Sequence, residues 1–410
     1  QIGSGSFGEV LYGINKEKNS EVAIKLVTSE TSDKAISKEI YYTKALQTET
    51  GFPHYYDYGD HDNKKIIIFS LLGPSLDKLF KYSQKKFTIK TVCRIGKEII
   101  CRLQTMHKKG YIHRDLKPNN LTWGNFSSKY NNKNIMTENN DINTIYLIDF
   151  GLSYSYKDKY GMHCKCEEGY NFVGTLRYAS INAHKGNRQS RRDDLESMMY
   201  ILIYFLKGKL PWQDIRVKQK QERQEKIMQK KVSINIKDLC EGLPNQFVDL
   251  LDYSKKLGFE EDPKYEKFDY YFQGIIDGLK ENENIEKNYM YIWEKMLVEE
   301  INDANGDEKK LTEDAQMIFK GYPVNLKEYI KLIENERKTK DKDKDSYNTY
   351  SENDTTKISN IKNSYVANAR INEFTNNQEA LVMCNKDKSG VINDSQKLSC
   401  NKYSHSLKTI

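Results

Sequence analysis

Eight consecutive residues, His113-Arg114-Asp115-Leu116-Lys117-Pro118-Asn119-Asn120, constrain this chain more than any other stretch of its sequence. They bring a carboxylate, an ammonium and a carboxamide into one short segment. Transfer of a phosphoryl group to a hydroxyl asks for such a set: a carboxylate to accept or orient the hydroxyl proton, a cation near the moving phosphate, and an oxygen ligand for a divalent metal. Asp115, Lys117 and Asn120 fit those three roles. Further on, the apolar run 145–148 leads into Asp149-Phe150-Gly151, which offers a second metal-binding carboxylate on a sharp turn.

The opening Gly3-Ser4-Gly5-Ser6-Phe7-Gly8 is a weaker signal, because the same glycine spacing also opens dinucleotide-binding folds. Those need a strand, a glycine turn and then a helix. Here the glycines lie between two strand-like segments, and Val22-Ala23-Ile24-Lys25 follows as another strand. Glycines let the backbone approach phosphate oxygens closely, and the Lys25 ammonium neutralises them. A helix read over 32–48 carries Glu39, which can pair with Lys25; Glu30 and Glu49 are rivals for that place from the residues alone.

Composition limits the alternatives. An apolar share of 38% with 30% charged residues supports a soluble core accompanied by unstructured segments. The net charge of +7, from 65 Lys+Arg against 58 Asp+Glu, is weaker than a dedicated nucleic-acid binder needs. Tail lysines alternate with aspartates over 338–345, which cancels the field, so no nucleic-acid partner is expected. The 7 cysteines show no paired spacing, which indicates reduced thiols and a place in the cytoplasm, the nucleus or both. His163-Cys164-Lys165-Cys166 has a poor spacing for tetrahedral zinc. The longest apolar runs fall short of a bilayer span, so no membrane association is expected. The chain begins at Gln1 inside the glycine turn without an initiator Met and reads as a piece of a longer protein.

Further helices are read over 88–109, six turns or so by the usual rise, and over 192–207, stopped by Gly208 and Pro211. Residues 64–72 form a buried strand run closed by Gly73-Pro74. Residues 125–143 are rich in Asn, Lys and Ser and read as a mobile surface insertion. The same composition returns from 339 to 410, a tail that cannot bury enough apolar surface to offset its ordering entropy and is expected to be disordered. Between these, 298–338 is an extension in which 326–333 could form an amphipathic helix.

Taken together, these motifs resemble a eukaryotic protein kinase, and within that superfamily the chain resembles casein kinase 1. The subfamily marks are Leu71-Leu72-Gly73-Pro74-Ser75-Leu76, Gly174-Thr175-Leu176-Arg177-Tyr178-Ala179-Ser180-Ile181-Asn182, Gln189-Ser190-Arg191-Arg192-Asp193-Asp194-Leu195-Glu196-Ser197 and Leu210-Pro211-Trp212-Gln213. Ser180-Ile181-Asn182 stands where most kinases carry Ala-Pro-Glu. The resemblance implies an α+β fold over 1–297: a β-rich N-lobe (about 1–72) and a helical C-lobe (about 73–297), with ATP between them.

Gly3, Ser4, Gly5, Ser6, Phe7 and Gly8 would cover the phosphates, and Ile2, Val10 and Ala23 the adenine, while Leu72 would offer backbone hydrogen bonds. Lys25, Glu39, Asp115 and Lys117 would be catalytic, Asn120 and Asp149 would hold Mg2+, and Asp194 would brace the catalytic loop. The implied activity is transfer of the γ-phosphate of Mg·ATP to Ser/Thr hydroxyls by a monomer. Arg177 and Arg223 would bind an acidic or already phosphorylated side chain of the protein substrate. The alternative reading is a kinase-fold scaffold with little turnover.

Five positions depart from the subfamily pattern. Tyr154 and Tyr170 stand where it has lysines, and Asp214 where it has glycine, so positive charge is lost or opposed near the anion site. Thr122 replaces Leu on the adenine floor, and Phe69 replaces Met at the back of the pocket, where it should exclude inhibitors that reach deep.

Overall fold

The computed structural model describes residues 1–5, 8–28, 33–62, 64–124, 144–279, 290–322 and parts of 325–333. The expected insertion at 125–143 and the expected tail from 339 lie outside the described residues.

Five strands make one antiparallel sheet in the order β1-β2-β3-β5-β4: β1 (Gly3–Gly5), β2 (Gly8–Asn15), β3 (Ser20–Val27), β4 (Tyr55–His61) and β5 (Lys64–Ser70). The central strand β3 sets the geometry that matters for chemistry. Side chains alternate across a strand, so Ala23, Lys25 and Val27 share a face, and all three are buried. Register places Lys25 opposite Val10 on one side and Ile67 on the other.

Helix α1 (Asp33–Leu46) lies against this sheet. Its buried side chains include Ile36, Glu39, Thr43 and Leu46, spaced three or four apart and therefore on one helical face. Glu39 thus points inward because it belongs to the apolar stripe. Ile36 packs with Val27, Ile67 and Phe69.

The rest of the fold is largely helical. Helix α2 (Leu76–Tyr82) is capped by Ser75, and α3 (Ile89–Lys108) by Thr88, whose hydroxyl accepts from the Thr91 N–H at 3.2 Å. Between α3 and the loop chemistry run two short ribbons. One pairs β6 (Tyr111–Ile112) with β9 (Tyr154–Ser155); the other pairs β7 (Leu121–Trp123) with β8 (Ile145–Leu147). After the brief α4 (Ile181–His184) comes α5 (Arg191–Lys207), buried on nearly every side: residues 198–206 are apolar all round, and the buried charged residues of its first turns find polar partners. It stops at Gly208, whose φ of 78° is the left-handed C-terminal turn.

Helix α6 (Lys220–Ser233) is the opposite case: polar throughout, it buries only Ile227 and Lys231. After α7 (Ile236–Leu239), α8 (Asn245–Lys256) and α9 (Tyr265–Asp277) pack with α3 and α5 to complete the main core. The expected α+β architecture, a sheet followed by a helical part, is what is observed.

The expected boundary at 297 falls inside α10 (Ile292–Asp303), which buries Trp293, Leu297, Val298 and Ile301. A second helix, α11 (Glu313–Phe319), follows, and residues 326–333, where described, are helical with Leu326, Tyr329 and Ile333 buried. This apolar surface joins the main core, so the extension continues the same compact unit, residues 1–156 and 165–334. The segment Lys157–Cys164 falls in a second unit and is a local turn, with the Asp158 N–H donating to the Met162 carbonyl at 2.8 Å. No helix among the described residues is long and apolar enough to cross a membrane.

Candidate active site

The sheet and the helical part enclose a cavity of about 840 Å³. Ile2, Gly3, Gly8, Val10, Ala23, Lys25, Glu39, Leu72, Lys117, Asn120 and Asp149 all line it, as do Phe69 and Thr122. Ser4 and Gly5 belong to β1 by their backbone, and Ser6 and Phe7 lie outside the described residues.

Lys25 and Glu39 form a bidentate pair: the Lys25 Nζ donates to Oε1 at 2.6 Å and Oε2 at 2.7 Å. The rival Glu49 instead meets Lys109, at 3.0 Å, and Glu30 lies outside the described residues. Burial alone would lower the Lys25 ammonium, but the carboxylates of Glu39 and Asp149 outweigh it and hold the group above its ordinary range. Lys25 is therefore a fixed positive charge. Its Nζ stands 3.8 Å from the Asp149 Oδ1, too far for a hydrogen bond.

That Asp149 oxygen is buried and has no hydrogen-bond partner. A buried carboxylate oxygen without a donor is costly unless a cation meets it. Asn120, on the turn just before β7, commits its Nδ2 to the Asp115 carbonyl at 3.0 Å. Asn120 and Asp149 line the same cavity, and their donor set fits a hard divalent cation such as Mg2+.

Asp115 sits at the edge of this cavity with both carboxylate oxygens engaged. Its Oδ2 accepts from the Lys117 Nζ at 2.5 Å, and its Oδ1 accepts from the Thr175 hydroxyl at 2.7 Å. The loop bearing it is held from below. Asp194 on α5 accepts the His113 N–H at 2.8 Å and the Arg114 N–H at 2.9 Å, and its Oδ2 also meets the His107 Nε2 at 3.0 Å. Burial would raise the Asp194 carboxyl, but the hydrogen bonds it accepts from His107 and from the His113 N–H bring it below its ordinary value. These bonds hold Arg114 at a φ of 68°, a left-handed conformation a non-glycine residue seldom keeps without support.

Thr175 was not among the residues expected to do chemistry. Sixty positions separate it from Asp115, and no local pattern announces such a contact. Its neighbour Gly174 explains the approach. At a φ of +114°, with a would-be Cβ only 2.6 Å from the Arg114 carbonyl oxygen, that position accepts glycine alone.

The segment carrying Thr175 is anchored by groups the sequence reading also missed. Ser180 and Asn182 both hydrogen-bond the Asp193 Oδ1, at 2.7 and 3.2 Å, and the Ile181 N–H donates to Glu196 at 3.0 Å. Lys231 is fully buried, and its Nζ donates to the carbonyls of Leu176 and Ala179, at 2.9 and 2.5 Å. The faces of Tyr200 and Trp212 lie 4.9 and 5.1 Å from the same ammonium.

Arg177 and Arg223 are in neither case ion-paired among the described residues, and no contact joins them. The Arg177 guanidinium lies over Tyr178 and Tyr204, and Arg223 is exposed on α6. Tyr154 and Tyr170, expected to stand in place of lysines, both meet arginines or carboxylates. Tyr154 presents its ring to the Arg114 guanidinium at 5.0 Å. The Tyr170 hydroxyl donates to Glu167 at 2.6 Å, and Arg188 pairs with the same carboxylate at 2.7 Å.

Residues 1–257 match the family model described as the protein kinase domain. A fixed lysine–glutamate pair, two metal-type ligands and a braced carboxylate around one cavity agree with that match, and a kinase domain implies ATP, a divalent metal and protein substrates as general requirements. This chain belongs to the protein kinase family.

Proposed function

We propose that the chain is a serine/threonine kinase of casein kinase 1 type, transferring the γ-phosphate of Mg·ATP to hydroxyls in acidic or already phosphorylated contexts. The observation that carries the reading is the Asp115 carboxylate, held between the Thr175 hydroxyl and the Lys117 ammonium beside the cavity that contains Lys25, Asn120 and Asp149. Asp115 accepts or orients the proton of the incoming hydroxyl, and Lys117 offsets charge on the moving phosphate. Lys25, kept charged by Glu39, neutralises phosphate oxygens of the nucleotide. Asn120 and Asp149 would hold the divalent metal, which when bound neutralises the phosphate oxygens of the nucleotide.

Support for the subfamily comes from Ser180-Ile181-Asn182, whose polar side chains are used in place rather than left idle. Arg177 and Arg223, which no carboxylate among the described residues pairs, are available to receive an anionic substrate side chain. The Glu167–Arg188 pair and the exposed Asp214 argue that this preference is weaker than full complementarity would make it. The test is to supply Mg·ATP with casein or an acidic peptide and to identify the modified residue type. Transfer to Ser or Thr is expected, with Asp115→Asn slower by about 10²–10⁴-fold. A wild-type chain as silent as Asp115→Asn would leave a scaffold, for which Lys25→Met should change nothing.

A further inference from the structure

The cavity has a wall that no kinase motif supplies. Met317, Ile318, Lys320 and Tyr322 line it, and all four lie beyond residue 257, where the match to the family domain ends. Met317 is 49% exposed, a large apolar side chain left open at the cavity mouth. Tyr322 packs with Ile2, Ala23, Leu71 and Val10, the apolar patch that faces the adenine in the reading above. Burial holds its phenol well above the ordinary range, so the ring is neutral.

The same segment touches both sides of the cavity. At the β1 edge, Gly321 comes so close to Gln1 that a Cβ would stand 2.5 Å from the Gln1 carbonyl oxygen, and its φ of +86° also demands glycine. Beside it the Lys78 Nζ donates to the Ile2 carbonyl at 2.8 Å, tying α2 to the same edge. At the opposite side, Trp123 follows Thr122 on β7 and is packed edge-on by Trp293 of α10 at 5.8 Å and by Tyr329 of the extension at 6.3 Å. A strap that bears on Ile2 and on the strand carrying Thr122 sets the width of the slot for a flat base.

We propose that the C-terminal extension is part of the nucleotide site: Tyr322 forms the outer wall against the base and ribose of a purine nucleotide, and Gly321 holds that wall to the β1 edge. The inference rests on the nucleotide reading of the cavity, and the experiment separates the two. In the full chain, kcat and KM for ATP are measured with Tyr322→Ala, Tyr322→Phe and Gly321→Ala. Removing the ring should raise KM for ATP about tenfold with kcat within about twofold, since uniform binding is lost rather than transition-state stabilisation. Gly321→Ala should move KM the same way, and Tyr322→Phe, which keeps the ring, should restore the wild-type value. Amide hydrogen exchange of the wild type adds a measurement that needs no variant: exchange over 313–322 should slow when Mg·ATP is added. An unchanged KM in Tyr322→Ala, or exchange indifferent to the nucleotide, overturns the inference while leaving the kinase reading intact. A wild-type chain that binds no ATP overturns both.

Discussion

At the scale of single residues, the Asp115 carboxylate is placed by two short hydrogen bonds, one from a near neighbour in the chain and one from a distant group. Lys117 is two residues away and Thr175 is sixty. Removing the Thr175 hydroxyl leaves the Asp115 Oδ1 without its donor and free to rotate. Thr175→Val should therefore lower kcat by about three- to tenfold, the worth of one ordinary hydrogen bond, with KM for ATP unchanged in steady-state assays. Thr175→Ser should keep the rate, because the hydroxyl is all that the contact uses. The bidentate Lys25–Glu39 pair shows the complementary lesson. Three glutamates compete for that lysine on sequence grounds, and helical periodicity decides for Glu39 once Ile36, Thr43 and Leu46 are seen to share its face.

At the scale of elements, α6 is hardly legible, since Ile227, Met228 and Val232 are too few among its Lys, Gln, Glu and Arg to mark an apolar stripe. Its function in the fold rests on one inward side chain. Lys231→Met would remove the donor to the Ala179 carbonyl and leave the Leu176 carbonyl only the His184 ring at 3.3 Å, and a loss of stability of about 1–3 kcal/mol is expected from such an unsatisfied buried acceptor. The denaturant midpoint measures it, and peptide phosphorylation should fall as well, because those carbonyls flank Arg177 and follow Thr175.

The same cluster gives a pH dependence. His184 lies against Lys231 at 3.2 Å, and burial, helped by that ammonium, lowers its imidazole to about 3. His107 is likewise lowered by burial, against the pull of Asp194. An unfolded histidine takes up a proton near pH 6.5 while these stay neutral, so the unfolded state binds more protons and stability falls as pH drops from about 6.5 towards 3. Urea midpoints between pH 7 and about 4.5 should show this slope, and His184→Gln should flatten it in part.

At the scale of the whole molecule, α10 and the residues around it behave as core. Trp293 is fully buried, stacked on Tyr291 at 4.4 Å and set edge-on to Trp123. Tyr82 on α2 adds a polar tie, its hydroxyl donating to Glu300 at 2.9 Å. Trp293→Ala should cost about 3–5 kcal/mol, the usual penalty for emptying an aromatic site in a packed interior, read as a lower thermal midpoint of the full chain. A change no larger than that of an exposed substitution such as Tyr270→Ala would mean that α10 is not integral to the fold.

What the amino-acid sequence determined alone was local: motifs whose residues act within a few positions of one another, and helices whose apolar period marks a buried face. Asp115, Lys117 and Asn120, the Asp149 turn, and α1, α3 and α5 were legible for that reason. Strand β4, Tyr-Tyr-Asp-Tyr-Gly-Asp-His, was not, because it lacks alternation and is a strand only through its pairing with β5. The boundary at 297 was where the resemblance ends, yet Leu297 and Val298 are buried against the helical core. Only the tertiary structure decided which distant groups meet: Thr175 on Asp115, Lys231 beneath the 176–179 backbone, and Tyr322 on Ile2. Such contacts arise when packing brings separated elements together, and sequence spacing carries no trace of them.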